Sequence, residues 1–300
     1  MAKLPLLLVV LVISIGFSPL ISSQSRPRAE IEVVFLDGIL EIRDGSSWIE
    51  VEVGDLVDRD SYLRLEEGGI VELLDSSVSV TISTSGVYHL ADLVQKAASR
   101  SSSTGVGRFL ENALEEVAGR TQSRTTSAVL GARAEKAETP EIGWIDEEEE
   151  MLREGKDLLG EGKYEEALRF FQDAESEALD EQEQQVAFYV GYSLALLGRR
   201  GAALKQLTQL DPVPTAAYYE DWVVVQAQLL FESMAYERAI DATELYMSTT
   251  PEGDKRQVVS FIAGLCYREL GDSERARKYL EQAYRIDPET EIGKAAKAQL

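Results

Sequence analysis

Hydrophobic and polar positions follow two different rhythms along this chain. Between residues 30 and 90 the period is two. In "WIEVEV" (48–53), Ile49, Val51 and Val53 alternate with Glu50 and Glu52, the pattern of a half-buried strand. "IVELL" (70–74) and "VSVTI" (78–82) behave similarly, with Val78, Val80 and Ile82 on one face. Turn signals punctuate the runs at Asp37-Gly38, Asp44-Gly45, Gly54-Asp55, Gly68-Gly69 and Asp75-Ser76-Ser77. Seven short strands at this spacing predict a small all-β sandwich or barrel over 30–95.

From residue 146 the period becomes helical, and the pattern repeats. Each copy is a pair of helices meeting at a short turn. The first has Gly155, turns at Gly162 and carries Ala167 and Ala174. The second has Gly191, Gly198, Ala203 and Leu210, and the third Ala227, Met234, Ala239 and Tyr246. The fourth has Gly264, Gly271, Ala276 and Ala283, so the anchors 155, 191, 227 and 264 are 36, 36 and 37 residues apart. Small residues at the crossings let antiparallel helices approach closely, and a glycine admits the tight turn. Leu158, Leu194, Leu230 and Tyr267 fill the space beside them. One such pair cannot bury its own faces, so neighbours must stack.

This pattern resembles the tetratricopeptide repeat, whose period is about 34 residues. "AGLCYRELGDSERARKYLEQAYRIDPE" (263–289) carries the likeness most fully. The second copy ends in Leu210 and a longer link, "DPVPTAA"; the third has Met234 at its turn and Thr243 and Tyr246 in its second helix. Residues 146–300 are thus expected to form an all-α solenoid of four repeats, closed by a short capping helix from Thr290. The resemblance implies a groove lined by the first helices and filled by a protein or peptide partner. Helical spacing adds Arg153 and Lys156, then Phe188, Tyr189 and Tyr192, Val225 and Gln228, and Phe261, Leu265 and Arg268. The expected surface is an apolar, aromatic trough with cations at its two ends. The competing reading is that these aromatics pack between repeats.

A second resemblance covers about 60 residues. "VVFLDGILEIRDGSSWIEVEVGDLVDRDSYLRLEEGGIVELLDSSVSVTIS" (33–83) is similar to the periplasmic FecR-type domain, through Gly38, Trp48, Val53-Gly54-Asp55-Leu56, Gly68-Gly69 and Asp75-Ser76. It implies an envelope signalling or interaction module without chemistry of its own. The fold class expected is therefore multidomain, a FecR-like β domain followed by an all-α tetratricopeptide solenoid. Residues 96–145 join them as a linker, serine- and threonine-rich around one helix from Val106 to Ala118. Its boundary with the repeats is expected at Thr139-Pro140.

The N-terminus bears on location. "MAKLPLLLVVLVISIGF" places Lys3 before an uncharged apolar run, followed by Pro19, Ser22 and Ser23, the grammar of a secretory signal over 1–23. The alternative is an uncleaved anchor, the only membrane attachment expected. The FecR-type resemblance implies, in its better-known regulators, a segment ahead of a membrane span that engages a sigma factor; with three residues before the apolar run, that role is not expected here. A lipidated N-terminus would need a cysteine at the cleavage point, and the only cysteine is Cys266, in an apolar helical run that marks it as a buried small hydrophobe. The expectation is a periplasmic or otherwise exported protein.

Charge and chemistry narrow the function further. The net charge is −23, and residues 146–300 carry 17 basic and 32 acidic side chains. That balance is unsuited to nucleic acid, whose phosphates need clustered cations. "DEEEE" (146–150) suits the positive end of the first repeat helix. The single histidine, His89, gives triads and multi-histidine metal sites almost no material. No P-loop, GxSxG or HExxH motif occurs. No enzyme activity, catalytic residue, metal or cofactor is expected. The expected function is an exported scaffold or adaptor that binds proteins. The alternative is a β domain that binds cell-wall glycan (peptidoglycan) while the repeats recruit a partner.

Overall fold

The computed structural model describes residues 30–75, 78–102, 147–175 and 182–300. The signal segment, the linker helix at 106–118 and the Thr139-Pro140 boundary lie outside these residues, as do the side chains of 100–102 and 147–151.

The N-terminal half is an all-β sandwich of two four-stranded antiparallel sheets. The strands are β1 (Glu30–Asp37), β2 (Leu40–Asp44), β3 (Ser47–Val51), β4 (Leu56–Asp58), β5 (Tyr62–Leu65), β6 (Ile70–Asp75), β7 (Val78–Ile82) and β8 (Gly86–His89). One sheet runs β4-β1-β6-β7 and the other β3-β2-β5-β8. Alternate side chains from both sheets form the core, among them Ile31, Val33, Leu40, Leu63, Leu65, Val71 and Leu73. Helix α1 (Leu90–Ser102) closes one end, burying Leu90, Leu93 and Val94. It carries helix into the stretch at 99–102 that composition marks as a connector. Eight strands are present among the described residues, one more than turn counting predicts. The "WIEVEV" strand also stops early, at Val51, and Val53 lies in the following turn, 58% exposed.

A register shift in β1 sets up everything that follows. Ile31 and Val33 point into the sandwich, but between Val33 and Phe35 the pairing with β6 slips by one residue. A bulge of this kind re-aims the side chains beyond it. Leu36, opposite the core residue Val71, takes the inward position, and Phe35, opposite Glu72, faces out. Phe35, Asp37, Ile70 and Glu72 thereby share the outer face of this sheet, by the period of two.

The C-terminal half is built from helix pairs: α2 (Glu147–Gly160) with α3 (Tyr164–Glu175), α4 (Glu183–Leu196) with α5 (Arg200–Thr208), α6 (Tyr219–Glu232) with α7 (Tyr236–Thr249), and α8 (Arg256–Glu269) with α9 (Ser273–Ile286). Helix α10 (Glu291–Ala298) caps the stack with Gly293 and Ala296 buried, and the Thr290 side chain accepts from Gly293 N at its start. The small residues do what close approach requires. A β-carbon on Gly155 would strike the Phe171 ring; on Gly191 it would lie 2.8 Å from Leu207, and on Gly264 2.8 Å from Leu280. Each obstructing residue stands sixteen positions after its glycine (155 to 171, 191 to 207, 264 to 280). In the third pair the same two positions hold Ala227 and Thr243, both 0% exposed. The unit that gains a methyl group has a shorter side chain at the partner position.

Turns within the pairs adopt the left-handed conformation at Gly162, Gly198 and Gly271 and, with φ 62°, at Met234. A bulky residue there is strained unless its surroundings hold it. Met234 packs against the core of the helices and the core of the sandwich alike.

Candidate interaction surfaces

Two surfaces of the helical array stand out. The first joins it to the sandwich. Helix α5 lies on the outer face of the first sheet, and Gly201 sits against the Phe35 ring with no room for a β-carbon. Glu72, 6% exposed, accepts from Gly201 N at 3.0 Å and from Ser79 Oγ at 2.8 Å. Lys205 Nζ meets Asp37 at 2.8 Å. At the third turn, Ser83 Oγ and Ser233 Oγ are 2.8 Å apart and buried, and Arg238 Nη1 donates to the Ser83 carbonyl at 3.1 Å. Lys96 of α1 lies over the Tyr236 ring and 3.9 Å from Glu269, at the end of α8. The sandwich is therefore docked along the edge formed by the second, third and fourth turns. Sequence periodicity carries no sign of this. The one trace is Met234 at a position where glycine is expected, a side chain that packs against both cores.

The second surface is the line of first helices. Phe188, Tyr192, Val225, Gln228, Phe261 and Leu265 are all 0% exposed, so these six do not form an open trough. Phe188 stacks on Tyr192 at 5.9 Å and on Tyr218 of the long second link at 5.4 Å. Gln228 Nε2 donates to Glu232, and its Oε1 has no partner among the described residues. The aromatic surface predicted for a ligand is taken up by packing between helices. Of the eight positions, Tyr189 and Arg268 keep accessible surface. Arg268 donates to Gln299 and lies 3.6 Å from Glu269.

Around Tyr189 a cluster forms that spacing only half reveals. Its ring stacks on Phe171 at 5.1 Å and faces Lys156 Nζ at 5.0 Å. Burial pushes the Lys156 ammonium below its ordinary range, against the opposing pull of Asp221. Burial first, and then the Asp221 charge, push the Tyr189 hydroxyl well up, while a hydrogen bond with Gln185 opposes them. Asp221 also pairs with Lys255 at 3.3 Å. Lys156, Tyr189 and Asp221 come from α2, α4 and α6, the first helices of three consecutive pairs. Their arrangement of cation, ring edge and carboxylate can hydrogen-bond with an extended chain.

His89 ends β8, tilted against Tyr62 at 4.8 Å with its Nδ1 3.3 Å from Asp92. Cys266 is buried. No group of three or more histidine, cysteine or acidic side chains arranged for a metal ion occurs among the described residues.

A family model described as tetratricopeptide repeat matches residues 259–290. No curated protein matches the chain. Among solved structures, a crystal structure of MamA is 17% identical, covering 48% of this chain and 84% of that one with a TM-score of 0.39. The MamA RS-1 ArsTM double mutant is 19% identical, covering 51% of this chain and 85% of that one with a TM-score of 0.42. The family match spans α8 and α9 with their turn, and the helix pairs before it repeat at 36–37 residues. The helical half is accordingly a tetratricopeptide-like repeat array, a class of scaffold that binds proteins.

Proposed function

We propose that this protein is an exported envelope scaffold that holds a protein partner along the first helices of its repeats. The observation that carries the reading is the alignment of Lys156, Tyr189 and Asp221 on three successive first helices. The partner presents an extended segment to them, with an acidic group toward Lys156 and a donor toward Asp221. The β sandwich is a FecR-like module, and its role is to fix the array at the envelope rather than to perform chemistry. Residues 1–23 direct export to the periplasm or beyond. The test is affinity capture with the exported full chain and the Lys156→Ala, Tyr189→Ala double variant. A specific partner should be retained at least tenfold less by the folded variant. Equal retention by both proteins would remove this face from the account.

A second reading gives the sandwich a glycan ligand. It is favoured by the outer face of the second sheet, where Trp48 and Tyr62 are partly exposed and Arg64 lies 4.6 Å from the Trp48 ring. Co-sedimentation of the full chain with purified peptidoglycan, lost in Trp48→Ala, would support it. No co-sedimentation would exclude it.

A further inference from the structure

Where the sandwich meets the repeats, a cleft of about 500 Å³ remains open between them. Its walls come from both halves: Ser83, Thr84 and Ser85 follow β7, while Lys205 and Thr208 lie on α5 and Arg238 on α7. We propose that this cleft binds a small polar carboxylate that clamps the sandwich onto the repeats.

The charges define the ligand. Lys205 is already matched by Asp37 at 2.8 Å. Arg238 is not matched: its Nη1 donates to the Ser83 carbonyl, and no carboxylate lies within ion-pair distance among the described residues. Packing at the junction partly desolvates the guanidinium, which keeps an exposed side toward the cleft, and lowers its proton affinity. An oxyanion beside it would supply the missing partner, and a planar carboxylate matches the guanidinium fork. Two further acids limit the ligand's charge. Asp37 and Glu67 also line the cleft, so a dianion would be repelled where a single carboxylate is tolerated. Ile70 is the apolar side chain in the lining, and Thr84, Ser85, Thr208 and Gln209 are among its polar ones. The body of the ligand is therefore hydroxylated or amide-like rather than greasy. The walls belong to different halves, so a ligand that binds only the docked arrangement stabilises that arrangement by mass action.

The experiment uses the full chain and calorimetric titration with gluconate, serine and inorganic phosphate, alongside thermal unfolding at rising ligand concentration. Saturable binding of gluconate or serine is expected, with a midpoint that climbs with concentration. Gluconate alone would mark a sugar acid, and serine alone an amino acid. Arg238→Gln, which keeps a donor for Ser83, should weaken binding at least tenfold. Ser85→Ala, at an exposed position, provides a second readout if that variant fails to fold and should weaken binding about threefold. Absence of saturable binding, binding of phosphate alone, or equal affinity in the variants would overturn the proposal and leave the cleft to water.

Discussion

The Oγ atoms of Ser83 and Ser233, 150 residues apart in sequence, lie 2.8 Å from each other in a buried position. Each belongs to a different half of the chain, and Ser233 Oγ also donates to the Leu230 carbonyl at 3.1 Å, so the pair is satisfied within the buried junction. With the Glu72 to Gly201 hydrogen bond and the Phe35 contact, they make the junction a packed interface rather than a tether.

Gly201→Val tests that junction. The added side chain would occupy the space held by Phe35, and overpacking of this kind costs about 1–3 kcal/mol. The wild-type chain should unfold in one denaturant transition seen alike by tryptophan fluorescence and circular dichroism. The variant should show two transitions, because the sandwich and the array then unfold independently.

Within the repeats, Gly191→Ala and Ala227→Gly should differ in kind. The first places a methyl group 2.8 Å from Leu207 and should cost about 1–3 kcal/mol. The second should cost about 0.5–1 kcal/mol, the ordinary penalty of glycine inside a helix. Urea midpoints of the two variants check the order.

Met234→Gly sets two effects against each other. Glycine relieves the left-handed backbone, worth about 1–2 kcal/mol. It also removes a partly buried side chain packed against both cores, a loss of about 2–3 kcal/mol. Net destabilisation is expected in equilibrium unfolding, where a glycine at this turn would be neutral or better if Met234 merely filled a gap.

How much of this was legible in the sequence depends on the range of the interaction. Helix pairs and their anchors follow from local spacing, because Gly155, Gly191 and Gly264 each answer to a residue sixteen positions away in the same pair. Short strands such as β6 and β7 follow from alternation. The docking surface does not, since it depends on a one-residue register slip that turns Phe35 outward toward Gly201, a residue 166 positions away. The candidate site was half legible for a related reason. Spacing shows which residues lie on a first helix, but not that Tyr218 in the irregular second link would cover Phe188. Helical spacing puts Tyr189 and Lys156 among the groove positions, but that Lys156 faces the Tyr189 ring and that Asp221 joins them depends on how the helices lie side by side.

Alkaline pH should loosen the third and fourth repeats together. Glu244 accepts from Tyr267 and Tyr279 at 2.7 and 2.8 Å. Burial first, then that carboxylate, raises both hydroxyls above their ordinary pKa of 10.0. The folded state holds these protons more tightly than the unfolded chain, so the stabilisation is complete below pH 10 and fades as pH rises beyond it. Glu244→Gln should bring the tyrosinate absorbance of the folded protein in at lower pH. An unchanged titration would contradict the assignment.

The central claim, that the β sandwich is docked on the turn edge of the repeats, is tested most directly by joining Ser83 to Ser233. In the full chain carrying Ser83→Cys and Ser233→Cys, mild oxidation should link the two peptides within one molecule in most of the sample, as read by peptide mass mapping. Cys266 is buried and should not compete. Two thiols that stay freely titratable after oxidation, in a variant that remains folded, would contradict the docked arrangement.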